Sequence, residues 1–394
     1  MTDQVTYDVV VIGAGGAGMA AALFSAIEGL SVLLVERTTH LGGTTAYSSG
    51  TAWIPNTHHS LIAGAEDSME RAATFLRQAG SGSSQELQRA FLENGPQAIA
   101  CIERNSEVKF RARALHPDYT QEAEGAALRG RALEPLPFDG RRLGGRFDLI
   151  RPPIPEFTVL GGLMVDRDDV AHLLKASKSW ASFRHSVALV TGYFRDRMRY
   201  PRGTRLVMGN ALIGRLLFSL DQRGVKIVLD ADVKELRRPQ GRTTDLVIDV
   251  GHVRRLVRAR RGVILATGGF NLHKTRRSEM LPATGPIYSL VAPGNTGAMH
   301  DLVLAAGACY GEIGLDTVFW APVSTRQRVD GSTAAFPHFA QDRGKPGTMV
   351  VNKAGRRFVN GSHFISFVRS CDVQIERDHP INSVISDRRQ RCVA

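Results

Sequence analysis

The chain has 394 residues, 43% of them hydrophobic, and a formal net charge of +12 at pH 7. That length and composition suit a globular protein with a large core and two domains, and they exclude a disordered or collagen-like chain. No apolar run approaches the roughly 20 residues that span a bilayer, and the acidic-polar N-terminus enters a strand without a secretion signal. The four cysteines (Cys101, Cys309, Cys371, Cys392) are scattered and form no C-x-x-C. A disulfide framework or metal site is therefore not expected, and a reducing cytoplasm is the simplest setting.

In chain order, Tyr7 to Ile12 reads as a buried strand, and Ser31 to Glu36 as a second buried strand ending in an acid. Between them lie Gly13-Ala14-Gly15-Gly16-Ala17-Gly18 and an Ala-rich helical stretch. Glu36 falls eighteen residues after Gly18 (36 − 18), the spacing of an ADP-binding βαβ unit. Gly13 permits the tight turn, Gly15 lets a pyrophosphate approach the backbone, and Gly18 allows helix and strand to pack closely. Gly16 and Ala17 belong to a helix N-terminus that offers N–H groups and partial positive charge to phosphates. Glu36 is suited to accept from ribose hydroxyls.

The acid is followed by Arg37-Thr38-Thr39-His40-Leu41-Gly42-Gly43-Thr44-Thr45-Ala46-Tyr47-Ser48-Ser49-Gly50. A Gly-Gly pair running into a hydroxyl-rich turn suits the far phosphate and ribityl chain of FAD better than a nicotinamide cofactor. This run resembles the flavoprotein family of fumarate reductase and the 3-ketosteroid dehydrogenases. With Trp53-Ile54-Pro55-Asn56 added, it is most similar to the ketosteroid-dehydrogenase branch. The resemblance implies non-covalent FAD on Gly13, Gly15, Gly16, Ala17, Gly18, Glu36, Arg37, Gly42, Gly43, Thr44, Thr45, Ser48 and Gly50.

The fold expected is α/β: a Rossmann-like FAD-binding domain over 1–318 with a small antiparallel insert, and a partial α+β cap domain over 319–394. A helical excursion occupies about 60–200. It contains a short flexible turn at Gly80 to Ser84 and a rigid extended loop at Arg151-Pro152-Pro153-Ile154-Pro155. The chain then returns through an apolar helix reaching Phe218, a strand at Gly224 to Leu229, and Asp230 to Val233. The resemblance implies that Val233 gives backbone contacts to adenine. Asp245 to Val250 and Leu256 to Arg260 read as the insert. Gly262 to Phe270 repeats a strand and Gly turn, similar to the family's A-T-G-G motif, which implies cofactor contacts at Ala266, Thr267 and Gly268. Gly294-Asn295-Thr296-Gly297 lacks the acid and last glycine that follow in the family. Asp342 to Asn360 resembles its cap. The basic run Arg254 to Arg261 alternates with apolar residues and reads as a strand with one solvated face, not a nucleic-acid site.

The resemblance implies dehydrogenation of a carbon–carbon bond in an apolar ketone such as a 3-ketosteroid, by proton abstraction and hydride transfer to flavin N5. An ionised tyrosine at pH 7 costs about 4 kcal/mol, which a second, hydrogen-bonded tyrosine reduces. His116-Pro117-Asp118-Tyr119 matches the segment of that supporting tyrosine, so Tyr119 is the leading catalytic candidate. None of the seven tyrosines follows Tyr310, where the family's base is expected, and His338 is the nearest titratable substitute. Trp53, Phe336, Phe339 and Phe364 are candidates to line an apolar pocket.

A fumarate reductase-like dicarboxylate reductase is the alternative. Its clamping residues fall on Ala321, Gly361 and Ile365, which disfavours it. The family normally continues well past this length, so the chain reads as a C-terminally shortened member with weak catalysis alone. A non-catalytic flavin-binding remnant, or one subunit of a split enzyme whose partner chain completes the pocket, is the third reading. The electron acceptor stays open.

Overall fold

The computed structural model describes residues 5–79, 84–238, 245–251, 253–281, 288–311, 317–338, 347–351, 355–359 and 384–387. Its centre is a six-stranded sheet. The strands are β1 (Val5–Ile12), β2 (Val32–Val35), β3 (Lys226–Val228), β4 (Ala231–Arg237), β5 (Asp245–Val250) and β6 (Val253–Leu265), in the spatial order β3-β2-β1-β6-β5-β4. The first four of that order are parallel, and β5 and β4 continue antiparallel. This α/β architecture matches the expected class. Alternation along β1 feeds two cores, as both faces of a covered sheet must. Val9 and Val11 pack with Leu34, with Met19 and Leu23 of helix α1 (Gly16–Ile27), and with Leu216, Leu217 and Leu220 of helix α2 (Met208–Gln222). Val10 and Ile12 pack with Leu33, Val35, Leu246, Ile248 and Val257 on the other face.

The expected insert is not separate. Leu256 to Arg260 and Gly262 to Leu265 are one strand, β6, pairing antiparallel with β5 along its first half and parallel with β1 along most of its length. The reason is that a strand has two hydrogen-bonding edges, so a hairpin arm extends straight into the parallel sheet. A bulge between Tyr7 and Val9 absorbs the mismatch. The basic face of β6 is charge-paired: Arg254 meets Asp249 (3.2 Å), Arg258 meets Asp245 (2.9 Å) and Arg260 meets Asp8 (2.9 Å).

The excursion carries helices Met69–Ala79, Gln85–Asn105, Arg167–Leu174 and Trp180–Arg197. It also holds a three-stranded antiparallel sheet with Ala132–Pro135 between Ala52–Trp53 and Phe110–Ala112. Beyond residue 318, Val323–Gln327 pairs with Thr333–Pro337, and Thr348–Val351 pairs with Arg357–Val359 and Val384–Asp387. Phe339, Asn360, Gly361, Phe364 and Ile365 lie outside the described residues.

Candidate functional site

The turn from β1 into α1 is set by contact with β6. Gly13 has φ 100°, and a Cβ there would stand 2.4 Å from the Ala266 carbonyl oxygen. A Cβ on Gly18 would stand 1.8 Å from the Gly13 carbonyl oxygen. Only glycine fits at either place. At Gly15, the N-cap of α1, a Cβ would meet nothing within 4 Å, so the space in front of the helix is open. The Gly42-Gly43 pair lies against this opening. Gly42 N–H donates to the Ala14 carbonyl (2.8 Å), and a Cβ on Gly43 would approach the Gly15 Cα to 3.2 Å.

The result is a cleft of ≈280 Å³ lined by Gly13, Gly15, Gly16, Ala17, Glu36, Gly43, Thr44, Thr45, Ala266, Thr267 and Gly268, with Arg151, Ala292, Gly294 and Asn295 completing it. A second cavity of ≈70 Å³ shares Gly13, Glu36, Thr267 and Gly294 with the first and continues to Arg37, Asp232, Val233 and Met299. Together they form one groove across the carboxyl ends of β1, β2 and β6, where open α/β sheets bind nucleotides.

Other candidates from the sequence take packing positions. Gly42 (φ 111°) packs on Ala46 and Ile213, and Gly50 (φ 67°) fits against Gly209. Ser48 Oγ donates to the Thr45 carbonyl (2.8 Å) and accepts from Gly50 N–H (2.9 Å), closing the hydroxyl-rich turn. Thr45 Oγ1 accepts from Gly16 N–H (3.1 Å), and Thr44 Oγ1 accepts from Ala292 N–H (3.1 Å). Arg37 turns to Thr296 and to Asp232 (3.6 Å).

Two acceptor and donor inventories bear on a ligand. Glu36 is buried, and its Oε1 accepts from Thr38 N–H (2.9 Å) and Thr38 Oγ1 (2.8 Å) while Oε2 accepts from Ala14 N–H (2.8 Å). A carboxylate has about four lone-pair sites, so Oε2 retains one, enough for a ribose hydroxyl. Arg151 is buried on the cleft wall. Its Nη2 donates to Thr38 Oγ1 (2.7 Å), while its buried Nε has no hydrogen-bond partner. A buried guanidinium with an unmet donor fits an anionic ligand. The sequence reading placed Arg151 in a rigid loop and missed this. What brings it here is backbone pairing: Leu41 N–H donates to Leu149 O (2.7 Å) and Arg151 N–H to Leu41 O (2.9 Å).

At Gly297, His300 takes a place the sequence did not suggest. Its Nε2 lies 3.1 Å from the Gly268 carbonyl and its Nδ1 2.8 Å from the Tyr310 hydroxyl. The carbonyl can only accept, so Nε2 donates to it, and in the neutral imidazole Nδ1 then accepts from Tyr310.

The two catalytic candidates stand on separate elements. Tyr119 is half-buried in the excursion near His116, and burial pushes its hydroxyl above the ordinary tyrosine range against a smaller opposing pull from Arg113. His338 follows the strand Thr333–Pro337, with its Nε2 2.9 Å from Ser324 Oγ. Trp53 corrects the expectation of an apolar pocket wall. Its Nε1–H donates to Asp118 (2.7 Å), and its ring packs with Phe75 and Phe91. The fully buried Arg131 binds Asp67 and Asp118 at 2.7 Å each and lies over the Trp53 and Phe75 rings. Phe336 packs edge-on to Phe157. Counting cysteines also overlooked His58, His59 and Glu103, whose ligand atoms lie within 4.8 Å of one another. Both imidazoles bond that carboxylate, which also accepts from Phe110 N–H (2.8 Å).

Ser49 of the hydroxyl-rich turn and Met208 also line a separate pocket of ≈420 Å³. Arg111, Arg113 and Arg167 line it with Glu134, Asp166 and Asp168. Glu134 binds both Arg111 (2.6 Å) and Arg113, and Asp168 binds Arg111 (2.8 Å). Arg167 makes no ion pair among the described residues.

Residues 8–387 match the family model described as FAD binding domain. The chain belongs to that flavoprotein family. Its cofactor is FAD, and the open face of Gly15 and the unmet donor of Arg151 fit the diphosphate of such a molecule. The flavoprotein is 34% identical to 4-oxocyclohex-2-ene-1-carboxylate 5-dehydrogenase of Sinomonas cyclohexanicum, over 90% of this chain and 60% of that protein. It is 32% identical to 3-oxosteroid 1-dehydrogenase of Mycobacterium tuberculosis, over 95% and 65% respectively. It thus spans under two thirds of these relatives' length. The crystal structure of 3-ketosteroid Δ1-dehydrogenase from Sterolibacterium denitrificans superposes with a TM-score of 0.81 at 30% identity, covering 95% of this chain and 67% of that one.

Proposed function

We propose that this flavoprotein is an FAD-dependent oxidoreductase that dehydrogenates a carbon–carbon bond beside a ketone, with apolar cyclic ketones such as 3-ketosteroids as substrates. The observation that carries the reading is the groove with an open helix N-terminus and an unpartnered guanidinium donor, in a chain similar throughout to ketone dehydrogenases. Bound FAD would supply the hydride acceptor. The residues around it divide the work of holding it non-covalently. Gly15, Gly16 and Ala17 present the helix N-terminus to the diphosphate, with Arg151 opposite. Glu36 takes a ribose hydroxyl, and Arg37 and Val233 flank the adenine end. Gly43, Thr44 and Thr45 run beside the ribityl chain, held in shape by Ser48 and Gly50, while Ala266, Thr267 and Gly268 form the far wall. Tyr119, kept neutral by burial, acts as a hydroxyl donor, and His338 is the candidate proton acceptor. The FAD domain runs over 1–318 and the cap from 319.

A second substrate reading rests on the pocket beside Ser49. Arg111 and Arg113 are neutralised there by Glu134 and Asp168, and Arg167, without an ion pair among the described residues, is the cation that would meet a cyclic ketone also bearing a carboxylate. Fumarate is disfavoured because Ala321 stands where a clamping histidine is needed.

The test is purification, absorbance and thermal melting. FAD at about 100 times its dissociation constant stabilises the fold by about 2.7 kcal/mol, so FAD should raise the melting temperature and NAD should not. Dye-coupled turnover of a 3-ketosteroid, a 4-oxocyclohexenecarboxylate and, in reverse with reduced dye, fumarate ranks the substrates. A colourless protein whose melting FAD leaves unchanged refutes the proposal.

A further inference from the structure

Three side chains of metal-ligating type converge in the excursion, outside the nucleotide groove. His58 and His59 begin the short helix His58–Ile62, and Glu103 stands in the last turn of Gln85–Asn105. Neighbours on a helix point about 100° apart, yet here both imidazoles turn to one carboxylate. Their ring centroids lie 4.0 Å apart, with the planes at 36°. His58 Nε2 is 3.1 Å and His59 Nε2 3.0 Å from the same Glu103 Oε2, and His59 Nε2 is also 3.1 Å from Oε1. Ligands held about 2.0–2.1 Å from a tetrahedral zinc ion stand about 3.3 Å from one another. Each imidazole therefore needs to move away from the carboxylate by only a few tenths of an ångström to share an ion with it.

The ligand types select the metal. Two imidazole nitrogens and a carboxylate oxygen suit zinc, whereas magnesium and calcium take oxygen ligands. Glu103 is held in orientation by the Phe110 N–H, which donates to its Oε1 (2.8 Å), the kind of outer support that metal-binding carboxylates have. The side chains of His59 and Glu103 are 11 and 12% exposed and that of His58 is 47% exposed. An ion between them is backed by protein and open to solvent on the His58 side, which leaves a fourth position for water.

Charge points the same way. Lys109 donates to the backbone carbonyls of Glu103 and Ser106, not to the carboxylate. Among the described residues no arginine or lysine forms an ion pair with that carboxylate. A second cluster supplies the contrast: His185 Nε2 lies 2.9 Å from Asp169 and stacks on His172, but Arg205 binds the same carboxylate at 2.6 Å. There the counter-charge is in place. At Glu103, charging both imidazoles to provide it would set two cations side by side, while one divalent ion satisfies all three side chains.

We propose that His58, His59 and Glu103 bind one Zn2+ ion, with water in the fourth position, and that the ion pins the helix His58–Ile62 to Gln85–Asn105. The test uses the full chain loaded with FAD, free of any histidine tag and stripped of metal by a chelator. Calorimetric titration with ZnCl2 should show one equivalent bound with a Kd of about 1 μM or tighter, and MgCl2 should show none. Zinc should also raise the melting temperature. H58A removes a half-exposed ligand, and E103Q keeps an acceptor for the Phe110 N–H. Each should weaken zinc binding by roughly tenfold to a hundredfold or more, while H185A should leave it unchanged. X-ray absorption at the zinc edge should show nitrogen and oxygen ligands at about 2.0–2.1 Å and no sulfur at about 2.3 Å. Overlapping melting curves of the metal-free proteins show that the variants are folded, and H58A carries the test alone if E103Q is not. Absence of saturable zinc binding, undiminished affinity in H58A, an equal loss in H185A or a sulfur ligand would each overturn the proposal.

Discussion

The nucleotide groove and the core of the excursion both hold turns in fixed positions, and they use opposite materials. In the groove the work is done by absent side chains. Gly13 and Gly18 let backbone segments approach to distances no Cβ allows, and Gly43 brings a third segment closer than most Cβ atoms accept. In the excursion the turn carrying Tyr119 is held by charge, with Arg131 buried between Asp67 and Asp118 and lying over the rings of Trp53 and Phe75. The difference teaches where each region is fragile. A close backbone approach fails when an atom is added, and a buried ion cluster fails when one is removed.

The largest expected effect breaks the groove. Gly18→Val places carbon atoms inside the Gly13 carbonyl, so neither strand nor helix keeps its position. We expect a loss exceeding about 4 kcal/mol, in the range of severe overpacking and strain, read by urea denaturation or as failure to accumulate folded protein. Gly15→Ala is the sharpening control. Its backbone is extended (φ −75°) and the space is open. Stability should therefore change by less than about 1 kcal/mol while FAD affinity falls.

Next in size is Arg131→Met, which leaves two buried carboxylates without their cation. The expected cost is about 3–5 kcal/mol by denaturant titration. Simultaneous replacement of Asp67 and Asp118 by Asn should recover part of it.

Arg151→Leu separates binding from folding within the groove. Losing a charge-assisted contact to the diphosphate should weaken FAD by about tenfold to a hundredfold, from about 1.5–3 kcal/mol per such bond. The cofactor-free protein should lose little more than the bond to Thr38, about 1 kcal/mol by denaturant titration. Equal FAD dissociation constants for variant and parent would remove Arg151 from the site.

Tyr119 offers a test by pH. Burial raises its folded pKa above the ordinary value, so the unfolded chain releases the proton first. The stability from this group is complete below the ordinary tyrosine range and is lost as pH rises through it toward the folded pKa. Tyr119→Phe should flatten that alkaline decline. A parallel decline in parent and variant would show that the hydroxyl is not desolvated.

The smallest effect is expected on β6. Arg258→Ala removes an exposed cross-strand partner of Asp245 and should leave the denaturation midpoint nearly unchanged. A clear drop would mean that surface pairing on this strand carries the sheet.

The sequence by itself determined the opening βαβ unit, the glycine roles within it, the acid at the end of β2 and the return through β6 to Ala266-Thr267-Gly268. Those features are local. A φ value, a missing Cβ and a two-residue alternation are written into neighbouring residues. Only the tertiary structure decided that Arg151 reaches the groove, that His300 bonds the Gly268 carbonyl, that Trp53 serves an ion cluster instead of a pocket, and that Arg131 joins Asp67 to Asp118. Each of these joins residues that are not neighbours in the chain, and Arg151 meets Thr38 across 113 positions. Side chains such as arginine, histidine and tryptophan are compatible with many surroundings, so which partner they find is fixed by packing and not by their own position in the sequence.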